Sequence, residues 1–149
     1  MMKTHFGFFE KWLTEYVRSW GDCDDFCTHA FSELLAQYTS LVKNIIPWTA
    51  RDEFWMRRAA AVVLIPSIRR NKYKETNPTL ISDLLMNDPE PLVLKGYGWM
   101  LKVLSTKEPD LVYDYLKKNR DTMPRVAFRY ALEKLDNKRK TELMSLKRT

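Results

Sequence analysis

The sequence has 149 residues, a formal net charge of +6, 45% hydrophobic residues and 13% aromatic residues. This length suits one domain with a substantial core. The composition is too apolar for a disordered chain, and 30% charged residues are too many for a membrane-embedded one. No apolar run approaches the roughly 20 residues that span a bilayer, and Glu10 interrupts the only candidate signal peptide. We therefore expect a cytoplasmic protein.

The charge is unevenly distributed along the chain. Residues 1–54 hold five basic and eight acidic residues, a net charge of −3, whereas residues 55–149 hold twenty basic and eleven acidic residues, a net charge of +9. A basic part of this size suggests a polyanionic partner such as nucleic acid, although many basic domains bind none. Charge alone leaves both possibilities open.

Hydrophobic periodicity indicates helix almost throughout, and no stretch alternates with period two, so the predicted fold class is all-α. Two amphipathic helices are expected over residues 8–17 and 26–38, joined near Trp20-Gly21. Asp22 is a candidate N-cap for the second helix. Asp24 and Asp25 follow it in the first turn, where the helix dipole favours negative charge. Ser40 is a candidate cap for a shorter helix that runs towards Pro47.

The rest of the chain predicts further helices with short connections, which favour antiparallel neighbours. A long helix is expected over residues 52–70, with Pro66 bending or ending it. Proline and capping residues predict where the later helices start. These starts are Asn77-Pro78, Asp88 with Pro91, and Thr106 to Asp110, and the last two helices are expected over about 123–135 and 137–147.

Two segments suggest a structural repeat. Arg58 and Lys95, 37 residues apart, are each followed by small and then large apolar positions, and a weaker third copy starts near Arg125. Helix pairs recurring at this period are typical of HEAT-like α-solenoids, although an ordinary helical bundle remains an alternative. Gly96 and Gly98 would each cost a helix about 0.5–1 kcal/mol relative to alanine, which suggests a steric reason for both.

The segment from Trp20 to Asp25 is the most unusual local sequence, because it places an indole and three carboxylates at one helix start. One interpretation is a capped helix preceded by a core tryptophan. The other is a carboxylate beside an aromatic face, which would stabilise a cationic group through Coulomb attraction and cation–π contact. Local evidence does not separate the two.

Aromatic and basic residues are also combined on later helices. Lys95, Trp99 and Lys102 share one face, while Leu94, Tyr97, Leu101 and Leu104 are predicted to face the core. Trp55 similarly precedes two arginines. Such groupings suit phosphate backbones and bases, but Trp99 could equally cap the edge of the core.

Familiar active-site and metal motifs are absent from the sequence: there is no glycine-rich phosphate loop, serine elbow or His-Glu metal motif. Cys23, Cys27 and His29 are the best metal candidates, but Cys23 and His29 would point to different sides of a helix. We expect no metal and no cofactor.

Taken in order, three motifs resemble the DNA alkylation repair enzyme family, the AlkD-type alkylpurine glycosylases built from HEAT-like repeats. The Trp-x-x-x-Asp motif matches Trp20 to Asp24, the Trp-x-x-Arg-Ala-Ala motif matches Trp55 to Ala60, and the Lys-x-x-Gly-Trp motif matches Lys95 to Trp99. The segments from Glu108 to Val112 and from Tyr115 to Asn119 also resemble the family's following helix. The resemblance covers nearly the whole chain and implies that residues 1–149 form one domain, a short all-α solenoid of stacked antiparallel helix pairs.

This resemblance implies a hydrolase that removes cationic N3- or N7-alkylated purines from double-stranded DNA without a base-flipping pocket. By position, Asp24 would be the catalytic carboxylate, Trp20 and Trp99 would contact the deoxyribose and backbone at the lesion, and Arg58 would hold a phosphate. Further DNA contacts are expected from the basic residues of the second part, namely Lys95, Lys102, Arg125 and Arg129.

The sequence departs from the family pattern at its N-terminus. Family members have several additional helices before the first motif, whereas 19 residues precede Trp20 here. We therefore expect an incomplete solenoid whose bared apolar face could support self-association through the N-terminal helix. The alternative function is a noncatalytic HEAT-like module that binds DNA or a protein.

Overall fold

A computed structural model of the protein describes residues 43–71, 73 and 76–146. These residues form helices joined by short connections, with no β-strand among them, so the all-α prediction is confirmed. The elements are a 3-10 helix (Ile46–Ala50), α1 (Phe54–Val62), α2 (Ile65–Arg69), α3 (Pro78–Leu85), α4 (Pro91–Ser105), α5 (Pro109–Lys118), α6 (Arg125–Leu132) and α7 (Asn137–Ser145).

Prolines set most of these helix starts. Pro78, Pro91 and Pro109 are each the first residue of a helix, where the missing N–H costs nothing and the fixed φ suits the helix. Pro66 lies in the first turn of α2, directly after the break between Val62 and Ile65. The single long helix expected over residues 52–70 is thus divided at the proline that was predicted to bend or end it.

Two helix starts differ in detail from the sequence prediction. The cap of α4 is Glu90, whose side chain accepts a hydrogen bond from the Leu92 N–H at 3.4 Å. Asp88 instead forms a salt bridge with Arg57 at 2.7 Å and accepts a hydrogen bond from the Glu90 N–H, so it anchors the connection before the helix. Helix α6 begins only at Arg125, because the preceding Pro124 has extended backbone angles.

The helices lie in two layers. In the first, α4 lies between α1 and α6, and these three are called layer A. The second, layer B, contains α3, α5 and α7. Helices α4 and α6 are each followed directly by a layer B helix, and the short α2 lies between α1 and α3, an order similar to that of stacked HEAT-like pairs. The starts of α1 and α4, at Phe54 and Pro91, follow the repeat predicted from the sequence. The third copy is displaced, because the fifth residue of α6 is Arg129 and not the predicted Arg125.

Glycines allow α4 to approach both of its layer A neighbours. A Cβ atom on Gly96 would lie 3.0 Å from Arg58 Cγ of α1, and one on Gly98 would lie 2.8 Å from Tyr130 Cβ and 3.0 Å from the Ala127 carbonyl oxygen of α6. The two residues therefore face opposite sides of the helix. The steric reason predicted for them is confirmed.

The core lies between the two layers. Trp48, Tyr97 and Phe128 are its largest side chains with almost no exposure to solvent. The four α4 residues predicted to face the core are all buried, which confirms the periodicity: Leu94, Tyr97, Leu101 and Leu104. Among the described residues, none of the helices is both long and apolar enough to cross a membrane.

Several sequence predictions concern residues outside the described part of the chain. They include the helices over residues 8–17 and 26–38, the segment from Trp20 to Asp25, and the start of the helix proposed at Ser40. The cysteines, His29 and the N-terminal apolar face proposed for self-association also lie outside it.

Candidate functional site

One line of side chains on α4 reaches solvent, whereas most of that helix is buried. After Pro91, only four residues of α4 are partly exposed, and all the others are buried. The four are Leu92, Lys95, Trp99 and Lys102, here called the α4 stripe. Their spacing of three or four residues places them along one face of the helix. Trp99 lies with Lys95 and Lys102 on this face, as predicted, and it is also packed against the edge of the core, as the alternative interpretation expected.

Helix α6 borders the C-terminal end of the α4 stripe. Lys102 Nζ lies 3.5 Å from the Glu133 carboxylate and 5.6 Å from the centre of the Tyr130 ring. Glu133 is exposed, so this ion pair contributes little to stability. Sequence reasoning did not single out Tyr130 or Glu133. Their spacing of three residues at the solvent edge of an amphipathic helix was the available signal, but it does not identify which neighbouring helix they face.

Arg58 borders the other end of the α4 stripe. Its residue exposure is only 6%, and its Nη1 donates a hydrogen bond to the Leu92 carbonyl oxygen at 2.5 Å. Its aliphatic part covers Gly96, where no Cβ atom intervenes. Arg58 therefore bridges α1 and the first turn of α4. The contact with a DNA phosphate implied by the resemblance stays a prediction.

The adjacent Arg57 has a different role. Its guanidinium binds both carboxylate oxygens of Asp88, at 2.7 and 3.3 Å, and its Nη1 donates to the carbonyl oxygens of Arg51 and Asp52, at 2.9 and 2.8 Å. The side chains of Arg57 and Asp88 are 16% and 6% exposed. A guanidinium with this many internal acceptors is a structural group that fixes the start of α1 against the connection between α3 and α4.

Lys95 and Arg129 differ from Arg57 because neither forms an ion pair or hydrogen bond within the described part of the chain. Each is the fifth residue of its helix, as is Arg58 in α1, so the three occupy equivalent positions in layer A. Arg129 is exposed and Lys95 is half-buried. Arg125 packs its guanidinium 5.3 Å from the centre of the buried Phe128 ring.

Tyr97 lies inside the Lys-x-x-Gly-Trp motif but faces away from the α4 stripe. Its side chain has no exposure, and its hydroxyl donates to the Met86 carbonyl oxygen at 2.9 Å. Burial raises the pKa of Tyr97 well above the ordinary value for tyrosine. A neutral, hydrogen-bonded phenol in the core is a packing group, so Tyr97 is excluded as an acid or base at neutral pH.

The geometry therefore brings together part of the predicted site. Trp99 lies on one solvent-facing line with Lys95 and Lys102, and Arg58 adjoins that line. An aromatic ring flanked by ammonium groups can contact a sugar while the cations contact phosphates. Trp20 and Asp24, which the resemblance assigns to the same site, lie outside the described residues.

Comparison with known proteins gives one family match. The profile of a family described as DNA alkylation repair enzyme matches residues 1–135, a segment that contains all eight candidate site residues. No curated protein matches the chain.

Proposed function

The chain belongs to the DNA alkylation repair enzyme family, and on this premise we propose that it is a DNA glycosylase for N3- or N7-alkylated purines. The observation that carries this proposal is the α4 stripe, where the Lys-x-x-Gly-Trp motif places an aromatic ring between two cations on the only exposed line of the helix. Double-stranded DNA containing an alkylated purine is the proposed substrate.

The chemistry requires little acid catalysis. Alkylation at N3 or N7 makes the purine cationic, so cleavage of the bond between C1′ and the base nitrogen leaves a neutral purine with the bonding electron pair. Positive charge develops on the deoxyribose, and a water molecule then adds to C1′ and loses a proton. A site needs only a nearby negative charge, electron-rich faces and a positioned water molecule.

The proposed roles of the residues follow from this chemistry. Asp24 stabilises the oxocarbenium-like sugar and accepts or directs the proton of the attacking water. Trp20 and Trp99 contact the deoxyribose and present their π faces to the developing cation. The base stays stacked in the duplex, which agrees with a site built on the surface of a helix.

The cations of layer A hold the DNA backbone in this proposal. Lys95 and Arg129 are available because neither has a partner within the described part of the chain, and their equivalent positions place them on successive helices. Packed helices lie about 8–10 Å apart, so such a row can contact phosphates separated by a few nucleotides along one strand. Lys102, Arg125 and Arg58 add positive charge at its edges.

The experiment is the release of 3-methyladenine and 7-methylguanine from methylated duplex DNA. The protein is expected to release both bases, and Asp24→Asn is expected to lower the rate by about 100-fold or more. Asp25→Asn is the matched control, because it removes a neighbouring carboxylate of the same segment, and it should retain most of the activity.

Two results would contradict the proposal, the first its activity and the second its catalytic residue. One is no base release by the intact protein under conditions in which it binds DNA, which would favour the noncatalytic DNA-binding module. The other is equal loss of activity in both variants, which would reject the specific catalytic role of Asp24 while leaving the glycosylase activity of the intact protein in place.

A further inference from the structure

A second feature of the molecule is a cavity away from the α4 stripe. It has a volume of about 230 Å³ and lies between the segment before α3, the last turn of α4 and the start of α5. Pro78, Leu104 and Leu111 provide apolar walls. Leu104 is buried, whereas Leu111 is 45% exposed and lies at the surface. The cavity is therefore a small recess with an apolar interior and an accessible edge.

The polar groups of this cavity are mainly hydrogen-bond acceptors. Glu108 supplies a carboxylate, and its Oε1 accepts a hydrogen bond from the Tyr73 hydroxyl at 2.8 Å. This hydrogen bond raises the pKa of Tyr73, so the phenol stays protonated at neutral pH and acts as the donor. Asn77 and Thr79 add side-chain oxygens, and none of the residues that line the cavity is basic.

A comparison within the described part of the chain shows that the Tyr73–Glu108 pair has no cation beside it. The other pair of this type, Tyr113 with Glu142, joins α5 to α7, and both Lys117 and Arg139 lie over its ring, at 5.9 and 5.7 Å. Glu108 forms no salt bridge within the described part of the chain, even though the protein carries an excess of basic residues. A half-buried carboxylate in an apolar recess favours a positively charged partner.

We infer that this cavity binds an organic cation, namely an ammonium or guanidinium group on a short apolar stem. The Glu108 carboxylate would accept its N–H groups, the Tyr73 ring would contact the positive charge, and Leu104 and Leu111 would cover the stem. Such a cation could be a free amine or the lysine or arginine side chain of a partner protein. The inference does not depend on the glycosylase proposal, because the residues that line the cavity are not part of the proposed reaction.

The test uses calorimetry and NMR titration of the intact protein with defined probes. Agmatine and n-butylamine represent free amines, a capped arginine peptide represents a protein side chain, and n-butanol is the neutral control. We expect a cation to bind with a Kd of about 1 mM or tighter, with shifts at Tyr73, Asn77 and Leu111. Tighter binding of the peptide would assign the site to a partner protein, and tighter binding of agmatine to a free amine.

Matched variants separate charge recognition from folding. Glu108→Gln keeps an acceptor for the Tyr73 hydroxyl but removes the charge, and should weaken binding about tenfold. Glu142→Gln changes the other tyrosine–glutamate pair and should leave binding unchanged. Leu111→Trp should weaken binding by filling the recess at its exposed edge. Absence of binding, equal binding of n-butanol, or unchanged affinity in Glu108→Gln would overturn the inference.

Discussion

Neighbouring helices within layer A and neighbouring helices within layer B are joined by different contacts. In layer A, α4 meets its neighbours through Gly96 and Gly98, whose missing Cβ atoms allow direct contact with α1 and α6. In layer B, polar side chains join neighbouring helices. Tyr115 of α5 donates to Asp83 of α3 at 2.6 Å and accepts from Ser82 at 2.7 Å, and Tyr113 donates to Glu142 of α7.

Both layers contain paired and unpaired cations. In layer B, Arg139 of α7 is paired with Asp110 of α5 and with Asp136, so its charge is used within the protein. Lys95 and Arg129 of layer A have no ion-pair partner in the described residues, and the same holds for Lys118 of α5 and Lys140 of α7. Lys95 and Arg129 are therefore the layer A cations available to an external polyanion, whereas Arg57 and Arg139 are cations used to hold the helices.

Arg57→Met should have the largest effect on stability, because Arg57 is the layer A cation that serves as an internal link. The substitution leaves the 6%-exposed Asp88 side chain without its guanidinium and should lower the free energy of unfolding by about 3 kcal/mol, measured by urea denaturation. Lys95→Met is the matched control and should change it by about 0.5 kcal/mol or less. Equal effects of the two substitutions would remove the distinction between structural and available cations.

Gly98→Ala should have the next largest effect. Its Cβ atom would meet Tyr130 Cβ at 2.8 Å and the Ala127 carbonyl oxygen at 3.0 Å, and a backbone atom cannot easily move. We expect a loss of about 1–3 kcal/mol in the free energy of unfolding. Gly96→Ala meets Arg58 Cγ at 3.0 Å, a milder contact that involves no backbone atom of α1, and it gains helix propensity, so it should cost less, about 1 kcal/mol or below. The reverse order would contradict the packing described for layer A.

Tyr115→Phe tests the polar links of layer B. The loss of the contacts with Ser82 and Asp83 should cost about 1 kcal/mol at neutral pH. Burial, followed by the hydrogen bond to Asp83, raises the pKa of Tyr115 above the ordinary tyrosine value of about 10. Above that pH the unfolded chain loses this proton first, so the free energy of unfolding falls as pH rises.

Urea denaturation between about pH 9 and 11 measures this pH dependence. In Tyr115→Phe the free energy of unfolding should fall less steeply with pH, because residue 115 no longer titrates. The difference in slope should correspond to at most one proton. An unchanged slope would mean that Tyr115 ionises equally in the folded and unfolded states.

Lys95→Met should have a small but specific effect on DNA binding. Removing one phosphate contact should make the plot of log Kobs against log salt concentration less steep by about 0.9, with stability almost unchanged. Arg129→Met should do the same. Arg57→Met, tested at a temperature where it is folded, should leave the slope unaltered. If neither Lys95→Met nor Arg129→Met changes the salt dependence, these two residues do not contact DNA phosphates.

Local features of the fold could be predicted from the sequence. Pro78 and Pro91 fixed helix starts because proline suits the first helical position, and the period of apolar residues identified both the core face of α4 and the exposed position of Trp99. Long-range features could not be predicted. The pairing of Arg57 with Asp88 joins residues 31 positions apart, and the burial of Arg58 depends on Gly96 of another helix.

The single-turnover rate of 7-methylguanine release from a duplex with one lesion tests most directly whether the α4 stripe takes part in the reaction. The intact protein should release the base. Trp99→Leu, which keeps an apolar side chain against the core but removes the π face, should do so about tenfold more slowly at unchanged stability. Equal rates for the two proteins, or no release by either, would contradict the proposal that α4 presents the lesion-contacting surface of a glycosylase.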